Sequence, residues 1–155
     1  MKKVSLLVVG LLSGVLLMSL VTTADASKVY SGTPKAIRGH YRTKMKKTHV
    51  SGHTYWVYKS LQIKSKTITG DYGTGADSYF VYKLNHANSK NNTFAVVGKY
   101  EPMGGESPQY TTLFVKNKAI LKLYYLNNAG TKITASETYY KFSGKVSKIT
   151  NYPYK

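Results

Sequence analysis

Beyond residue 26, the side chains able to do acid–base or metal chemistry are His40, His49, His53 and His86, with Asp71, Asp77, Glu101, Glu106 and Glu137. His49 and His53 stand four apart, a spacing that would set two metal ligands on one face of a helix. Here they flank Val50-Ser51-Gly52, a turn signal, and no third zinc-favouring ligand lies nearby, so both read as exposed loop histidines. Asp71 and Asp77 bracket Tyr72–Ala76 and would have to converge to act as a glycosidase pair. Beside a Gly-Thr-Gly break they are expected instead to bond nearby backbone amides, and the stretch lacks the spacing of a calcium loop. No Gly-x-Ser-x-Gly elbow is present. Gly73-x-Gly75 and Gly104-Gly105 read as flexible turns rather than phosphate cradles, because no helix start follows either. With no cysteine, there is no thiolate and no disulfide. No catalytic, cofactor or metal site is therefore expected, and the reading is of a non-enzymatic protein.

Charge and aromatic rings are the stronger signal. The chain carries 23 basic and 6 acidic residues. Only Arg38 and Arg42 are arginines; all other basic residues are lysines. Arginine reads phosphate or guanine bidentately, whereas lysine is a hydrated point charge, so the balance points to diffuse attraction to a polyanion and away from sequence-specific nucleic-acid readout. Arg38, Arg42, Lys44, Lys46 and Lys47 form the densest basic cluster and are the candidate polyanion-binding residues. Trp56, Tyr58, Tyr79, Tyr82, Tyr124 and Tyr140 lie on segments with apolar character on both faces. Pointing outward they would make platforms for sugar rings or lipid headgroups; pointing inward they would line or fill a cavity.

The elements that must position these residues are strands. After residue 27, short β-branched and aromatic runs alternate with Gly, Asn and Ser-Lys clusters, and no stretch shows helical periodicity. The expected strands are residues 37–44, 55–63, 67–72, 78–86, 94–100, 110–116, 119–126 and 132–142, with 46–52 a polar connection and 101–108 a longer loop bounded by prolines. Ala119, Leu121, Leu123 and Tyr125 should share one face, joined by Leu113 and Val115 on the strand before and by Ile133, Ala135 and Tyr139 on the strand after. Two charges interrupt inward faces: Lys59 between Val57 and Leu61, and Glu137 between Ala135 and Tyr139, where a bulge is expected. About eight sequential strands with short connections predict an all-β, antiparallel up-and-down meander. Closure into a barrel would remove its edges, with a two-sheet sandwich as the alternative.

Gly39-x-Tyr41 at the head of the first strand, with Arg42 beside it, resembles the Gly-x-Trp opening of lipocalin-like (calycin) barrels, and Leu61–Thr69 resembles the hairpin that follows in such folds. That resemblance implies an eight-stranded barrel over residues 30–142. The chain is also similar to small secreted Lys/Tyr-rich proteins of Gram-positive bacteria that open with a Thr-Pro-Lys-x-x-Arg-Gly run, here Thr33–Gly39, which implies context but no activity.

Met1-Lys2-Lys3, an uncharged run over Val4–Leu20 and small residues at Ala24 and Ala26 read as a signal peptide over residues 1–26, cut between Ala26 and Ser27. Residues 27–155 would then form a single secreted domain with 21 basic and 5 acidic residues, a net of +16. No membrane span is expected after leader removal. The expected role is that of an extracellular or loosely wall-associated binding protein held by anionic cell-wall polymer. The alternatives are a lipocalin-like carrier of a small apolar ligand and an inhibitor presenting the loop over residues 101–108.

Overall fold

A computed structural model describes residues 28–71, 78–101, 109–127 and 130–144. Its strands are β1 (Val29–Ser31), β2 (Gly39–Arg42), β3 (Lys46–Val50), β4 (His53–Val57), β5 (Ser60–Ile63), β6 (Ile68–Asp71), β7 (Ser78–Asn88), β8 (Thr93–Glu101), β9 (Gln109–Asn117), β10 (Ile120–Leu126) and β11 (Ile133–Phe142). Strands β2 and β5 to β11 pair antiparallel in chain order. β11 then pairs with β2, placing Tyr140 opposite Arg42, so the sheet closes into an eight-stranded barrel and leaves no edge. The extra strand β1 lies along β7, with Val29 opposite Ala87, beyond the reach of β6.

Inward positions alternate as a closed barrel requires. Leu121 and Leu123 on β10 are fully buried while Lys122 between them is exposed. On β7 the two-sided apolar character has a local cause. Lys83 adopts φ +51° and the register with β8 slips between Tyr82 and Asn85. This bulge changes the inward parity from Tyr79 and Val81 to Leu84. On β9 the expected face is reversed. Tyr110, Thr112 and Phe114 are buried and Leu113 and Val115 are only half-buried, because pairing with β10 sets Phe114 beside Leu123. The bulge expected at Glu137 sits at Thr134 instead, where Tyr125 opposes Ala135 but Leu126 opposes Ile133. Ile133 and Ala135 are exposed accordingly.

The opening differs from a strand over residues 37–44. Lys35–Ile37 is a 3-10 turn, closed by bonds from the Ile37 and Arg38 amides to the Pro34 and Lys35 carbonyls. Ile37, fully buried, joins the barrel's core cluster from the end at which β5 turns into β6. Thr33 anchors this plug: its hydroxyl donates to the Lys64 carbonyl at 2.6 Å, and Arg38 Nη2 donates to the Thr33 carbonyl at 2.7 Å. Gly39 follows at φ +141°, a backbone state that suits glycine, and Tyr41 enters the core fully buried.

The segment read as a polar connection is β3, which pairs only with β4 in a separate two-stranded sheet. Ser51 (φ +51°) and Gly52 (φ +78°) make its two-residue turn with both φ values positive. The predicted strand over residues 55–63 thus divides at Tyr58-Lys59, where the chain leaves β3 and takes β2 as its partner. This hairpin leaves β2 at Arg42 and enters β5 at Ser60, at the end of the barrel opposite the plug. The signal peptide, its cut at Ala26/Ser27, Asp77, Glu106 and residues 102–108 of the candidate inhibitory loop lie outside the described residues.

Candidate functional site

Two regions concentrate chemistry. The first lies at the barrel end where the hairpin is rooted, between the surface and the core. Lys59 and Glu137, the two charges that interrupt inward faces, form an ion pair with each other. Glu137 Oε2 also accepts hydrogen bonds from the Tyr139 hydroxyl at 2.7 Å and the Tyr125 hydroxyl at 3.1 Å. Burial pushes the Glu137 carboxyl up, but the bonds from Lys59, Tyr139 and Tyr125 outweigh it and hold the carboxyl below its ordinary value. The phenols move the other way. Burial pushes Tyr79, Tyr110, Tyr125 and Tyr139 above their ordinary value, and the nearby Glu137 charge adds to it. Tyr41 is raised by burial. The Tyr41 hydroxyl is buried and makes no hydrogen bond within the described residues, while the buried Tyr110 and Thr112 hydroxyls face each other. Sequence reasoning missed this cluster, although its signal was present: two opposite charges, each breaking an otherwise apolar face.

Asp71 is drawn to the barrel wall. Its Oδ1 accepts from the Ser60 amide at 2.9 Å and its Oδ2 from the Ser60 hydroxyl, so it ties β6 to β5 across the sheet.

The second region is the hairpin. Lys44, Lys46 and Lys47 are exposed, and Lys47 Nζ lies 5.2 Å over the Trp56 ring. Such a contact at an open site contributes about 0.5–1 kcal/mol. His49 and His53 are strand residues, not loop residues. His49 opposes Thr54 and meets its hydroxyl at 3.3 Å, while His53 opposes Val50, so the histidines occupy opposite faces of the ribbon. Among the described residues no three His, Asp or Glu side chains come together as metal ligands.

The other predicted basic residues do different work. Arg38 is held by Thr33 at the plugged end, away from the lysines. Arg42 is half-buried, with its guanidinium 5.5 Å from the Tyr58 ring and 5.0 Å from the Phe142 ring. It clamps the hairpin's root to the seam between β2 and β11. The Thr43 amide donates to the Lys59 carbonyl and the Lys59 amide to the Thr43 hydroxyl, both at 3.0 Å, completing that root.

The predicted aromatic platform is dispersed. Tyr79 is inside, over the backbone of Gly70, whose missing side chain makes room for its ring. Tyr58 is buried at the hairpin root, and Tyr82 lies outside against Phe80, ring centroids 6.1 Å apart. Tyr124 and Tyr140 are half-buried on the outer wall. Trp56 alone stands on the hairpin strands. Among the described residues no helix is long and apolar enough to cross a membrane. Comparison of the chain with protein-family models, with curated proteins and with solved structures gives no match.

Proposed function

We propose that this protein is a secreted, non-enzymatic binding protein of lipocalin-like architecture, held at the cell envelope by electrostatic attraction to anionic wall polymer. One observation carries the reading: of the three described carboxylates, two are tied into the barrel wall, while almost all described ammonium groups stay on the surface. Glu137 is tied to Lys59 and two tyrosines, and Asp71 to Ser60, whereas every described lysine except Lys59 and Lys116 is exposed. The uncompensated coat raises affinity for any polyanion. The cluster reads as a structural contact: its carboxyl is lowered by the hydrogen bonds it accepts, which outweigh burial, and its phenols are raised by burial. The test is binding to purified walls. Retention should fall steeply as salt approaches about 0.5 M, where the screening length drops below roughly 5 Å. Salt-independent retention overturns the reading.

A second reading, a carrier, rests on the buried Tyr41 hydroxyl, unpartnered among the described residues, which favours an occupant with a hydrogen-bonding group over a purely apolar one. Native mass spectrometry of protein taken from its own culture medium would show a bound mass; a bare chain counts against it.

A further inference from the structure

The hairpin gains little from folding as it does. A two-stranded ribbon alone in water is marginal. β3 and β4 form a two-stranded ladder with no third described strand, and their described residues are exposed or half-buried. Yet the chain places its one tryptophan there, with Tyr55 on the other face of the same strand. The charge along its own stretch of chain is one-sided: no Asp or Glu occurs from Lys28 to Gly70, although Asp71 and Glu137 meet its root through Ser60 and Lys59. The root, by contrast, is built firmly through Arg42, Tyr58 and the Thr43–Lys59 bonds. A fixed base carrying an open ribbon with a cationic, aromatic face suits a partner that is itself extended and anionic.

On one face of the ribbon Trp56 and Lys47 stand side by side, with His49 and Thr54 one rung further out. An indole offers a flat apolar surface to the C–H face of a sugar ring, and an ammonium within one repeat's reach takes the neighbouring phosphate. Proteins that hold flexible anionic chains pair stacking platforms with a cationic track in this way. The exposed contact between Lys47 and the indole is weak enough to open when a ring arrives. Resting on the polymer-association reading above, we propose that the β3–β4 hairpin is the docking arm for a sugar-bearing phosphodiester polymer, with Trp56 stacking on the sugar, Lys47 meeting a phosphate on the same face, and Lys46 on the opposite face and Lys44 at the root meeting further phosphates.

The test uses the secreted chain and three probes: purified glycosylated polyol-phosphate polymer, the same polymer with its sugars removed, and inorganic polyphosphate. A triple variant Lys44→Gln, Lys46→Gln, Lys47→Gln is set against a control, Lys90→Gln, Lys118→Gln, Lys122→Gln, which removes equal charge from exposed barrel positions. The hairpin triple should bind all three probes at least tenfold more weakly, with the log–log salt slope shallower by about two to three; the control should lose less than threefold. Trp56→Ala should lose about fivefold on the glycosylated polymer and nothing measurable on the other two. Equal loss by both triples overturns the docking arm while leaving diffuse association standing. Equal loss by Trp56→Ala on all three probes overturns the sugar assignment. No binding by the unaltered chain at low salt removes the association reading itself. Circular dichroism of each variant confirms that the barrel is intact.

Discussion

Tyr139 in the barrel and Trp56 in the hairpin are both large aromatic residues on antiparallel strands, and their surroundings are opposite. Tyr139 is almost wholly buried, and its hydroxyl donates to a carboxylate that is itself paired. Trp56 is half-exposed, and its described ring contact is with the ammonium of Lys47. The barrel satisfies its charges internally, pairing Lys59 with Glu137. The hairpin leaves its cations to solvent. The same residue types are thus used for stability in one place and held nearer the surface in the other.

Substitutions at matched positions should separate the two. Phe114→Ala empties a fully buried inward position on β9 and should cost about 3–5 kcal/mol in denaturant unfolding. Gly70→Ala drives a methyl group into the Tyr79 ring and should cost about 1–3 kcal/mol. Lys59→Met strands the Glu137 carboxylate. A charged hydrogen bond of this kind contributes about 1.5–3 kcal/mol, which partial exposure of the ammonium trims to about 1–2 kcal/mol. Trp56→Ala should fall below about 1 kcal/mol, in the range of surface changes. A cost for Trp56→Ala matching that of Phe114→Ala would erase the distinction.

Acidity sharpens the same contrast. The Glu137 carboxyl is lowered in the folded state. Its stabilising contribution is complete above the unfolded value of about 4.3 and is lost as pH falls through the lower folded value. Lys59→Met should flatten that acid limb. The interior phenols are raised by burial, so their contribution is complete below about pH 10 and is lost as pH climbs beyond it. Their absorbance change on ionisation should coincide with loss of the β signal in circular dichroism. Ionisation of the whole tyrosine set before unfolding would contradict their burial.

Much of the barrel was legible in the sequence because alternation is a local signal: Leu121 and Leu123 against Lys122 fix a face without any tertiary knowledge. Three features were not legible. The bulge at Lys83 reverses inward parity partway along β7, and nothing in the types of Tyr82, Lys83 and Leu84 announces it. The hairpin was hidden because β3 has no apolar face; its strand character comes from pairing across the Ser51-Gly52 turn. The interior network was half visible. Lys59 and Glu137 each marked a broken pattern, but they lie far apart in sequence, and only barrel closure brings them together.

Amide hydrogen exchange, recorded with and without the glycosylated phosphodiester polymer, tests the division between scaffold and arm most directly. Free protein should exchange quickly across β3 and β4 and slowly across β9, β10 and β11. Added polymer should slow exchange in the hairpin and leave the barrel strands unchanged. Protection appearing in the barrel strands, with the hairpin still open, would contradict the account.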